Sequence, residues 1–201
     1  MTSKITVENV SKVFGGDPDE AISLIKQGKS KEDVLNETGQ TVGVQDVSFT
    51  VEEGEIFVVM GLSGSGKSTL VRMLNRLIDA TAGSVMVEGD DIPADDAQKL
   101  REIRLRKMAM VFQHFALFPH RTVLENVEYG LKVQGVPASE RHEKGMAALR
   151  QVGLDAWADR RPDALSGGMQ QRGGLARGLA VDPEILLMDE PFSALDPLIR
   201  R

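Results

Sequence analysis

Polar and apolar positions alternate in "ITV" from Ile5, in "VSFTV" over 47–51 and in "SVMVE" over 84–88, which predicts antiparallel strands with one wet face. "IFVVM" (56–60) and "ILLM" (185–188) are apolar throughout, the pattern of parallel strands covered on both faces, and "MAMVF" (108–112) adds a further strand. Between them the period changes. In "KSTLVRMLNRLI", Leu70, Met73, Leu74, Leu77 and Ile78 recur at helical spacing. "VLENVEYGLKV" reads as helix, as does 139–152, with Ser139 as the candidate N-cap. The sum is an α/β chain whose stretch from about 114 to 165 is mainly helical. Residues 15–40 interrupt the opening strands and read as two short helices, the second capped by Ser30; a linker and an inserted contact element both fit.

Composition narrows this picture. At 201 residues, 41% hydrophobic and 27% charged, the chain suits one domain, or one domain with a lobe, spanning 1–201. Thirty acidic against 24 basic residues leave a net charge of −6, a poor basis for neutralising phosphates, so no nucleic-acid partner is expected. Cysteine is absent, which removes disulfides and thiolate metal sites. "MTSKITVENV" lacks a secretory core, and the longest apolar run, 56–62, falls far short of the ~20 residues needed to cross a bilayer. A cytosolic chain is expected, and any membrane role requires an embedded partner.

Chemistry enters at "MGLSGSGKST", which runs from "IFVVM" into the Leu70 helix and fits G-x-x-x-x-G-K-[ST]. Gly61, Gly64 and Gly66, with Ser63 and Ser65, let successive N–H groups face one anion at a helix N-terminus. Lys67 reaches the β- and γ-phosphates of a nucleoside triphosphate, and Ser68, followed by Thr69, offers its hydroxyl to Mg²⁺. "ILLMDE" supplies the acidic half: Asp189 to hold Mg²⁺ through water, Glu190 to orient or deprotonate the attacking water. A second anion site follows from "LSGGMQQR", where Ser166, Gly167 and Gly168 open a helix. One triphosphate has little use for two cradles from one chain, so the second suits a nucleotide held by another subunit.

These motifs, with Gln113 after "MAMVF" and "SALD" at 193–196, stand in the order of the ATP-binding subunits of ABC transporters, which the chain resembles over nearly its whole length. The resemblance implies a P-loop NTPase with a mixed sheet, an antiparallel β subdomain and a helical subdomain. It implies a head-to-tail homodimer enclosing two ATP, each between Lys67 of one subunit and Ser166 and Gly168 of the other. Gln113 is expected on Mg²⁺ and the attacking water, Asp196 along the dimer seam, and Phe14 either stacked on adenine or simply in the core. A narrower resemblance, carried by the 15–40 segment and by "MVFQHFALFPHRTVLENVEYGLKVQGV", is to the subunits that energise glycine betaine/proline importers. It implies a membrane permease, an extracytoplasmic binding protein, and residence at the cytoplasmic face of the membrane. Phe115, Leu117 and Phe118 suit either a seat for a permease loop or ordinary packing.

Two departures stand out. The family's γ-phosphate histidine lies beyond "SALD", whereas this chain has only His114, His120 and His142, and its C-terminal elements are missing, so the chain reads as truncated. A fragment that binds ATP with little hydrolysis, or a nucleotide switch unconnected to transport, are the alternatives. The other departure is Gly173, Gly174 and Gly178 inside a helix, each about 1 kcal/mol worse than alanine; close packing of helix against sheet explains one of them but not three.

Overall fold

In the computed structural model, which describes residues 2–91 and 96–191, the alternating segments pair as expected. β1 (Ser3–Phe14) is followed by α1 (Pro18–Lys26), α2 (Lys31–Thr38), β2 (Thr41–Glu52), α3 (Lys67–Leu74), β3 (Ala82–Val87) and β4 (Asp90–Asp91). Then come α4 (Ala97–Arg106), β5 (Met108–Val111), α5 (Val123–Val127), α6 (Tyr129–Val133), α7 (Ala138–Gln151), α8 (Gly167–Ala180) and β6 (Ile185–Met188). The chain divides into two units, Met1–Leu100 and Arg101–Arg201.

The first unit is built on an antiparallel sheet ordered β2-β1-β3-β4. Its covered face comes from the apolar half of each alternation, with Ile5, Val7, Val10, Val85 and Val87 buried together with Leu70 and Met73 of α3. Residues 15–40 do form two helices. Asp17 caps α1 by accepting from the Glu20 amide, and Ser30 and Asp33 form a reciprocal capping box on α2. Ala21 and Val34 pack with Val13 and Val42 of the strands, so the segment is a folded, anchored element and not a loose connector.

Three expectations need correcting. "IFVVM" is not a strand: 55–62 pair with no ladder among the described residues, Ile56 is 90% and Met60 86% exposed, and only Phe57 finds a stacking partner, Phe49, at 4.6 Å. An all-apolar run is held in a sheet by neighbours on both edges, and this one has no ladder partner among the described residues. The helix expected to reach Ile78 stops at Leu74, because Asn75 caps it and Arg76 takes a left-handed φ of 56°. Ser139 is not an N-cap: Pro137 occupies the cap and α7 begins at Ala138.

In the second unit β5 and β6 pair in parallel, Met108 to Ile185 through Val111 to Met188. Around α8 lies a cluster in which Val123, Val127, Leu131, Leu149 and Leu154 are fully buried or nearly so, giving the helical stretch its own core. Of the five glycines in α8, Gly174 now has a steric reason. A Cβ on Gly178 would stand 3.4 Å from Leu186 and Val111 side-chain carbons, one on Gly174 would stand 3.2 Å from the Phe115 carbonyl oxygen, and one on Gly173 3.4 Å from Leu117. At Gly174 the helix approaches the turn so closely that an added methyl would force the neighbouring backbone to give, whereas at Gly173 and Gly178 the distances are those of ordinary contact. "SALD", with Asp196, lies outside the described residues.

Leu149 is wholly buried in this core, so Leu149→Ala should cost about 2–5 kcal/mol. A urea titration followed by far-UV circular dichroism measures it, and a loss below 1 kcal/mol (about half the lower bound) contradicts the packing described.

Candidate nucleotide site

The loop 61–66 leads into α3, whose first residue is Lys67 and whose N-cap is Gly66. Gly64 and Gly66 have φ of 77° and 94°, values that an L side chain resists, and these turn the loop back over the helix start. The Lys67 ammonium donates to the carbonyls of Gly61 (3.0 Å) and Leu62 (2.9 Å), so the lysine lies along the loop it serves. Gly61 to Ser65 are exposed, and Ser68 and Thr69 half-buried, on the first turn of α3.

Gly66 owes its identity to space as well as to φ. A Cβ there would lie 2.2 Å from the Gly43 carbonyl oxygen in β2. Gly43 in turn lies under Phe14, whose ring carbon would be 2.7 Å from a Cβ on Gly43. The loop end and the Phe14 ring thus meet at one backbone position. Phe14 is 44% exposed, with the Lys12 ammonium 5.3 Å from the ring centre, which removes it from the core. Gly43, in "TVGVQDV", escaped the sequence reading because nothing local marks it; the signal is a partner distant in sequence.

The second unit gathers Gln113, Asp189 and Glu190. The parallel ladder continues one residue past β6, with the Asp189 amide donating to the Val111 carbonyl at 2.9 Å. Asp189 is 2% exposed, while Glu190, one residue on, is exposed. Glu190 takes a left-handed φ of 46°, and the Gln113 side-chain amide donates to its carboxylate at 2.7 Å. Two adjacent carboxylates therefore have different environments. Ser166 caps α8, accepting from the Met169 amide at 3.4 Å, and Gly167 opens the helix. Phe115, Leu117 and Phe118 are half-buried, with Phe118 edge-on to Tyr129 at 4.8 Å.

Comparison with known proteins adds scale. The family described as ABC transporter matches residues 44–193. The chain is 60% identical over 198 residues to the glycine betaine transport ATP-binding protein OpuAA of Bacillus subtilis, covering 98% of this chain and 47% of that protein. It is 58% identical over 200 residues to the glycine betaine/proline betaine transport system ATP-binding protein ProV of Escherichia coli, covering 100% of this chain and 50% of ProV. The chain thus spans about half the length of these curated relatives. Among solved structures, the ATP-binding cassette MJ0796, described as dimeric, post-hydrolysis and bound to ADP and Pi, matches with a TM-score of 0.80 at 32% identity, over 96% of this chain and 77% of that one.

Gly66→Ala should destabilise the first unit by more than backbone strain alone, because the added methyl meets a carbonyl. Gly28→Ala provides the reference: its φ is 84° but nothing lies within 4 Å, so it should cost only about 1 kcal/mol. Equal losses in the two variants, by denaturant titration, would show that the Gly43 approach is not tight.

Proposed function

We propose, for a chain that belongs to the ABC transporter family, that it binds ATP and hydrolyses it to energise uptake through a membrane permease. The observation that carries this is the glycine loop closed by Lys67 on two carbonyls at the start of α3. Its N–H groups and the helix dipole suit a triphosphate, and Lys67 exchanges neutral carbonyl partners for charged phosphate oxygens. Phe14, exposed and sharing Gly43 with the loop end, suits stacking on the adenine.

The donor set fits Mg²⁺, a hard cation that prefers oxygen. Ser68 offers a hydroxyl and Asp189 a carboxylate, and Gln113, whose nitrogen is engaged by Glu190, keeps its amide oxygen as an acceptor. Ser68 in the first unit, and Asp189 and Gln113 in the second, each offer such an ion an oxygen; when bound it would offset charge on the phosphates. Glu190 polarises the attacking water and takes its proton; the Gln113 amide fixes which way that carboxylate points. In such phosphoryl transfer, positioning and electrostatics supply nearly all the catalysis.

Ser166, Gly167 and Gly168 at the start of α8 would complete the site of a second copy. Support comes from the dimeric MJ0796 cassette and from the redundancy of two anion cradles in one chain. OpuAA, ProV and the Listeria monocytogenes glycine betaine/carnitine transport protein GbuA, 57–60% identical, support a betaine-type osmoprotectant as the cargo. Those relatives also support a permease and an extracytoplasmic binding protein as partners, with the chain docked at the cytoplasmic face of the membrane. No helix among the described residues is long and apolar enough to cross a membrane, so the permease carries the transport path.

Titration calorimetry with Mg-ATP tests the reading. Wild type should bind and Lys67→Ala should lose about 100-fold or more in affinity, as expected for removal of a charge-assisted phosphate contact. Unchanged affinity in Lys67→Ala refutes the loop as the binding site. Glu190→Gln should retain binding but lower turnover about 10²–10³-fold. Ser166→Arg should leave the monomer's ATP affinity intact yet abolish ATP-dependent dimers in sedimentation; dimers that persist count against the shared site.

A further inference from the structure

The chain just after Gln113 makes a turn that costs free energy to hold. Phe115 and Ala116 are both left-handed, with φ of 28° and 50°, a conformation that residues with a Cβ keep only when their surroundings fix it. Two residues of α8 hold them there. The Arg177 guanidinium donates through Nη1 to the Ala116 carbonyl at 2.5 Å and through Nη2 to the Phe115 carbonyl at 3.4 Å. Gly174, one turn earlier, removes the side chain that would keep the helix from the Phe115 carbonyl. A groove of about 360 Å³, open to solvent and walled in part by Ala116, Phe118, Tyr129 and Arg177, lies beside the turn.

An arginine placed among carbonyls carries a cost. Burial pushes the Arg177 pKa down, the direction expected when a charge leaves water without a countercharge. A hydrophobic residue of similar length would fill the space without that penalty. What the guanidinium adds is a fork of fixed geometry, able to grip two successive carbonyls at once.

We propose that Arg177 is a positioning residue for hydrolysis: by clamping the turn at Phe115–Ala116 it fixes where Gln113 presents its amide to Glu190. This rests on the hydrolytic reading given above. It also gives α8 two tasks, since Ser166 caps one end and Arg177 grips the turn about 16 Å further along the axis, at 1.5 Å per residue. A displacement of the Ser166 end then reaches Gln113 through one rigid helix.

Two readouts on purified wild type, Arg177→Met and Arg177→Lys decide the matter. Steady-state hydrolysis should show kcat lowered about 10–100-fold in Arg177→Met with KM for ATP within about twofold, the split expected when positioning is lost and binding kept. Arg177→Lys, with one ammonium for two carbonyls, should fall between. Combining Arg177→Met with Gln113→Ala should be no worse than the more damaging single change, because both act through one amide. Amide hydrogen exchange over 113–117 should quicken at least about tenfold in Arg177→Met while α3 is unchanged.

Wild-type kcat together with wild-type exchange in Arg177→Met overturns the proposal, as does full additivity in the double variant. If the wild type binds ATP without turning it over, the hydrolytic reading fails separately, and exchange alone decides the clamp. Should Arg177→Met not fold, Gly174→Ala keeps the arginine but pushes a methyl toward the Phe115 carbonyl; it should show the same kcat loss and faster exchange, and the absence of both overturns the proposal.

Discussion

Backbone meeting backbone without a side chain between them is the constraint from which the rest of this structure follows. In the first unit Gly66 stands so close to the Gly43 carbonyl that no methyl fits, and this fixes the end of the phosphate loop against β2. In the second unit Gly174 stands against the Phe115 carbonyl, which lets α8 come close to the turn after Gln113. Glycine is a poor helix former, so three in one helix lower its intrinsic stability by roughly 3 kcal/mol. The buried cluster around Val123, Leu131, Leu149 and Leu154 offsets that loss through apolar burial.

The acidic pair shows how a strand end separates two roles. Asp189 remains in the ladder and is buried; Glu190 leaves it with a left-handed φ and points to Gln113 at the surface. One step of the backbone thus separates a carboxylate that is buried from one that is open to solvent and held by a side-chain amide.

Much of this was legible in the sequence, for reasons that differ by element. Alternation gave β1, β2 and β3, since a half-wet antiparallel strand writes its two faces into successive residues. The Ser30 box on α2 and the glycine loop at 61–66 were legible because their chemistry is local to a few backbone amides. Gly43 and Arg177 were not: each acts on a partner distant in sequence, Gly66 in one case and Phe115–Ala116 in the other. The run 56–60 misled because apolar composition specifies a wish to be covered, while a strand also needs neighbours to pair with. Ser139 misled for a smaller reason, as a proline two residues earlier had already set the entry to α7.

That same run has a practical corollary. Ile56, Val58, Met60 and Leu62 fall on alternate positions and are all exposed, along a backbone whose amides and carbonyls form no ladder among the described residues. Apolar side chains left open in this way form a surface that another chain can cover. Turbidity in concentrated preparations, and melting curves that shift with protein concentration, would then report stickiness at this run and not weakness in either core.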